Sequence, residues 1–98
     1  MGAEFNIDQA VGVTMRDAYQ NAVDDAHYQY GHDPYNGTIS TTHGFVDVTK
    51  LFYSMSEKEF EDTAFDNIEK WGEAWGVRLG QREGSELSHY RFYYWGAV

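Results

Sequence analysis

The sequence predicts one small α+β domain over residues 1–98: a sandwich of an antiparallel or mixed β-sheet with two helices packed on one face, ferredoxin-like or related. Three observations predict it. Apolar residues recur at three- and four-residue steps in two separate stretches, as a helix buried along one stripe requires. Alternating, β-branched or aromatic runs lie before, between and after those stretches, as strands require. With 98 residues, 42% of them apolar and 17% aromatic, the chain holds one packed core and has no room for a second.

The elements follow in order. Phe5 and Ile7 alternate, and Val11 and Val13 repeat the step, which predicts a short first strand. Thr14 followed by Asp17 is a helix start, because the hydroxyl accepts from a free backbone N–H and the carboxylate sits at the positive end of the dipole. The helix is expected from Met15 to about Tyr30, with Met15, Ala18, Tyr19, Ala22 and Ala26 as its stripe. Gly31 ends it in the left-handed conformation, and His32-Asp33-Pro34 blocks its continuation. Asp33 to Gly37 is a turn. Thr38–Thr42 and Phe45–Thr49, separated by His43-Gly44, read as a hairpin pairing Thr42 with Phe45, Ser40 with Asp47 and Ile39 with Val48. Its expected core face is Ile39, Thr41, Val46 and Val48. Ser56 with Glu59 forms a capping box, with Ser54 and Glu57 overlapping it, so a second helix starts near residue 57. Phe60, Ala64, Ile68, Trp71 and Trp75 continue its stripe to Gly76. Val77–Leu79 is a short strand, and Leu87–Trp95 is a long one rich in aromatics.

Charge narrows the function. Sixteen Asp and Glu against seven Lys and Arg give a net charge of −9, a field that repels polyanions and speeds encounter with a basic protein. Direct nucleic-acid binding and adsorption to a membrane are thereby disfavoured. No apolar run is long enough to span a bilayer, and no basic segment precedes an apolar one near residue 1, so neither a membrane span nor a signal peptide is expected. Zero cysteines exclude disulfides, thiolate metal sites and a Cys nucleophile, which fits a reducing compartment.

Within the second helix, Asp62, Asp66, Glu69 and Glu73 recur at steps of four, three and four, a carboxylate ridge able to imitate a phosphate backbone. The alternative is a solvated face. On the last strand, Tyr90, Phe92 and Tyr94 alternate with His89, Arg91, Tyr93 and Trp95, so aromatics project from both faces. Tyr93 and Trp95, beside Arg91, are the expected apolar anchors for a partner, unless the N-terminal segment or a second copy covers them. His27, His32, Asp33 and His43 are the residues an alternative enzyme or metal protein would use, although a spacing of five between the first two matches no standard zinc pattern. Ser40, Thr42 or Asp47 beside His43 would be the hydrolytic version. No cofactor is implied.

The segments Ala18-Tyr19, Tyr28-Gln29-Tyr30-Gly31-His32 and Tyr35-Asn36-Gly37-Thr38-Ile39, then Lys70-Trp71-Gly72 and Tyr93-Tyr94-Trp95-Gly96, form a recognisable set. It resembles a family of small uncharacterised phage and prophage proteins with an AY…YxYGHxxYxGTI motif, densest here between residues 18 and 42. That resemblance implies a phage or mobile-element origin and hence action in the host cytoplasm. It carries over no functional residue. By class analogy it implies an inhibitor of host defence, anti-CRISPR and anti-restriction proteins included. The expectation is therefore a non-enzymatic acidic protein that binds a basic host protein through Asp62, Asp66, Glu69, Glu73, Tyr93 and Trp95. A structural protein that self-associates, as a homodimer or larger assembly, through its last strand is the remaining alternative.

Overall fold

The computed structural model describes residues 2–98 and shows a four-stranded mixed sheet with helices against it, so the α+β sandwich holds. In chain order the elements are β1 (Ala3–Gly12), α1 (Met15–Tyr30), a single 3₁₀ turn at Ile39–Thr41, β2 (Phe45–Asp47), α2 (Thr49–Tyr53), α3 (Glu57–Asn67), β3 (Ala74–Gln81) and β4 (Ser88–Ala97). The strands lie in the order β1-β4-β3-β2, with β2 parallel to β3 and the other two pairs antiparallel. This differs from the β-α-β-β-α-β order of a ferredoxin-like chain.

Local signals set the helix starts. Thr14 accepts from the Asp17 N–H at 3.1 Å, and Gly31 closes α1 at φ 79°. Ser56 accepts from the Glu59 N–H at 3.2 Å, opening α3 where the capping box places it. Strand β1 is longer than expected, ten residues, because its whole length pairs with β4 from Ala3↔Ala97 to Gly12↔Ser88.

The helices divide between the two faces of the sheet, which corrects the expected one-sided packing. Because side chains alternate along β4, Tyr90, Phe92 and Tyr94 meet Met15, Ala18 and Ala26 of α1 on one face. Tyr93 meets Phe52 of α2 with Phe60 and Ala64 of α3 on the other. Aromatics on both sides of one central strand each need an apolar cover, and one helix layer satisfies only one set. Close approach of α1 relies on Gly76, where a Cβ would stand 2.5 Å from Met15 Sδ and 2.9 Å from Phe92 Cε1.

Two expected elements are different in kind. The hairpin does not form. The Thr38 hydroxyl accepts from the Ser40 N–H, and the Thr41 and Thr42 hydroxyls donate to the carbonyls of Thr38 and Ile39, so this segment satisfies its backbone as a tight turn. Only Phe45–Asp47 is extended, and it pairs with Ala74–Gly76 instead. Asp47 Oδ1 then accepts from the Thr49 N–H and hydroxyl, turning the chain into α2. Ile39 is buried as expected, whereas Val46 is 42% exposed on the edge strand. The second correction is the end of α3, which stops at Asn67 rather than reaching Gly76. Trp71 sits at φ 63° in the following turn, and Trp75 belongs to β3.

Candidate functional site

The early end of α3 divides the expected carboxylate ridge. Asp62 and Asp66 remain one turn apart on α3 and exposed. Glu69 and Glu73 lie in the exposed turn between α3 and β3, with Glu73 Oε2 near Gly44. Four acids of one helical stripe have become two pairs on adjoining elements.

The apolar anchors are corrected more sharply. Tyr93 is 2% exposed, its ring 4.9 Å from that of Phe60, because α3 covers the face it projects from. Trp95 is half-buried between Phe5 at 5.4 Å and Phe65 at 4.9 Å, with Lys70 Nζ 5.0 Å from its ring. Arg91 donates to the Tyr93 hydroxyl at 3.3 Å and to Glu57 Oε1 at 3.4 Å. The Tyr93 hydrogen bond, more than Glu57, holds its guanidinium above the ordinary Arg value against partial desolvation. Apolar exposure instead falls on Phe65 at 50% and Ile7 at 41%, beside Phe5 on the same face. The last strand also offers no edge for self-association, since β4 lies between β1 and β3.

The histidines do not converge. His27 and His32 stack at 4.1 Å between ring centroids, while His43 Nδ1 lies 2.6 Å from the Trp71 carbonyl oxygen. The Thr42 hydroxyl is engaged by Ile39 and Tyr19, and Asp47 Oδ1 by the Thr49 N–H and hydroxyl, so neither is paired with His43. Among the described residues, no three His, Asp or Glu side chains gather as a metal site would require.

A different site, unforeseen from the sequence, opens between β1, α1 and the loop after α1. It is a polar cleft of about 560 Å³ lined by Asn6 and Asp8 of β1, Asp25 and Gln29 of α1, Asn36 of the loop, and Tyr94. Asp8 and Asp25 are its only Asp, Glu, Lys, Arg or His side chains, so the cleft is anionic. Tyr94 donates to Asp8 Oδ2 at 2.8 Å, and burial first, then the Asp8 charge, pushes its phenol well above the usual Tyr value. Asp25 accepts from Gln29 at 2.9 Å. The loop is pinned across β4, where Gly37 N–H donates to the Ala97 carbonyl at 2.7 Å and the Gly37 carbonyl accepts from Asn6 Nδ2 at 3.1 Å. Gly37 has φ 76°, and its carbonyl packs on Gly96 so closely that a Cβ there has no space. The readable signal was polar Glu4, Asn6 and Asp8 at alternate positions of a strand whose other face is Phe5 and Ile7.

Across the described surface, charge is little compensated by ion pairing. Arg91–Glu57 is the one ion pair among the described residues, against sixteen carboxylates in the chain. Among the described residues no helix is long and apolar enough to cross a membrane. No protein-family profile, curated protein or solved structure matches the chain.

Proposed function

We propose that this chain is a non-enzymatic binding protein that docks on a basic partner protein and inhibits it. The observation that carries the reading is the surplus of carboxylates with little internal cation pairing, one ion pair among the described residues against sixteen acids in the chain. Such a surface holds a long-range attraction for cationic surfaces and repels nucleic acid. Asp62 and Asp66 on α3 and Glu69 and Glu73 in the adjoining turn, all exposed, are its contact acids in this reading. The phage-type resemblance adds the inhibitor role, of anti-defence or anti-CRISPR kind, in the host cytoplasm. Nucleic-acid mimicry is the route by which scattered acids would occupy a basic groove.

The test is a binding titration against a panel of basic nucleic-acid-binding proteins, with an unrelated acidic domain of equal net charge as control. A partner that prefers this chain over the control, and loses affinity at least tenfold when the four acids become Asn or Gln, supports the reading. A panel that never distinguishes this chain from the control rejects it.

A further inference from the structure

The unpaired edge of β1 carries an inference that rests on the proposed basic partner and deepens it. Gly2 and Val98 exchange both backbone hydrogen bonds, at 3.2 and 3.0 Å. From that pair the register runs without a break through Gly12↔Ser88. In an antiparallel ladder such pairs alternate with pairs whose N–H and C=O groups point away from each other. Even-numbered residues of β1 therefore bond to β4, and Ala3, Phe5, Ile7, Gln9 and Val11 present their backbone groups outward. Three further hydrogen bonds agree with this assignment. The Val11 carbonyl is taken on the outer side by Asn21 Nδ2 at 2.9 Å. On the opposite flank, the Ala97 carbonyl and N–H are taken by Gly37 and Thr41. No described residue bonds the outward groups of Ala3, Phe5, Ile7 or Gln9, and β1 is an end strand of the sheet.

This edge runs along the acidic cleft. Ile7 and Gln9 line the cleft together with Asn6 and Asp8, so it is bordered by a continuous stretch of β1. Outward donor and acceptor groups recur every second residue, about 7 Å apart, the repeat of an added strand. The two faces beside the edge differ in chemistry. On the α1 side stand Asp8 and Asp25 with no Lys, Arg or His in the lining. On the other side stand Ile7, 41% exposed, and Phe65, 50% exposed and in contact with Phe5. We infer that β1 takes up an extended segment of the basic partner as an added strand, its side chains alternating between Lys or Arg toward Asp8 and Asp25 and apolar groups toward Ile7 and Phe65. Charge selects this occupant over a second copy of the chain, because a β1–β1 pairing would bring two anionic clefts of a −9 protein together.

The probe is a short, capped peptide of alternating Lys and Val, titrated into the protein with amide hydrogen exchange and NMR shifts as readouts. The expected result is at least tenfold slower exchange at Phe5, Ile7 and Gln9, with Asn6, Asp8 and Ala10 already protected without peptide. An alternating Glu and Val peptide should leave all of them unchanged. Ile7→Pro removes an outward N–H and the Ile7 side chain but none of the bonds to β4, and should abolish this protection while its folded spectrum persists. Asp25→Lys, a surface change, should weaken the peptide at least tenfold and serves if the proline variant does not fold. Peptide shifts confined to Asp62 and Asp66, with the edge amides still exchanging freely, would overturn the edge site and leave the acidic-binder reading standing. Edge protection that grows with protein concentration alone would make the occupant a second copy and overturn the inference. Absence of binding by the peptide, together with failure of the basic-protein panel, would remove both.

Discussion

Gly96→Ala is the substitution that most severely tests the frame of the cleft. A Cβ at residue 96 would fall on the Gly37 carbonyl, a backbone group held at φ 76° that no side-chain rotation can move aside. The loop must retreat, and with it go the Gly37 N–H bond to Ala97 at 2.7 Å and the Asn6 bond to Gly37 at 3.1 Å. Two hydrogen bonds at about 1 kcal/mol each, with some residual overlap, give a loss of about 2–3 kcal/mol. For a domain of this size that lowers Tm by roughly 10–20 °C, measured by calorimetry or circular dichroism. Gly2→Ala is the control, since its Cβ would stand 3.5 Å from Val98 in ordinary contact. A Gly96→Ala protein melting within a few degrees of its parent would refute the close approach and the loop position that bounds the cleft.

Phe60→Ala should cost about 3–5 kcal/mol, because Phe60 is fully buried and its ring touches those of Phe52 and Tyr93 at 5.0 and 4.9 Å; chemical denaturation measures it. Ser56→Ala should cost about 1 kcal/mol through the lost cap of α3, seen as a lower denaturation midpoint. Tyr94 gives a pH prediction. Its phenol titrates higher in the folded than in the unfolded chain, so the folded state keeps a proton the unfolded state releases, and stability falls as pH rises past about 10. Tyr94→Phe should be less stable at neutral pH for loss of the Asp8 bond yet show a shallower decline above that pH, read from melts across the alkaline range.

Much of the fold was legible because its signals are local. Thr14 and Ser56 hydroxyls and the positive φ of Gly31 need only their near neighbours, and the starts of both long helices follow from them. What was not legible depends on partners far along the chain. Trp71 and Trp75 continue the spacing of Phe60, Ala64 and Ile68, so periodicity extends α3. The pairing of Phe45–Asp47 with Ala74–Gly76 instead draws residue 75 into a strand. The same pairing dissolves the expected hairpin, whose hydroxyl-bearing residues bond their own backbone. The aromatics of β4 announced that both faces need cover, but not that α2 and α3 would supply it for Tyr93. That choice removed the expected anchor and left Ile7 and Phe65, beside Phe5, among the exposed apolar groups. The cleft was written in Asn6 and Asp8 on the inner face of β1, yet it becomes a site only when α1 contributes Asp25 and the loop is pinned by Gly37.

The central claim is docking driven by uncompensated negative charge, and affinity for a selected basic partner as a function of salt tests it most directly. Exposed charges are screened over about 10 Å at 0.1 M salt, so the parent should lose affinity steeply and linearly in logarithmic coordinates. The variant lacking Asp62, Asp66, Glu69 and Glu73 charges should show a visibly flatter slope. Affinity indifferent to salt, or equal slopes for the two proteins, would contradict the account.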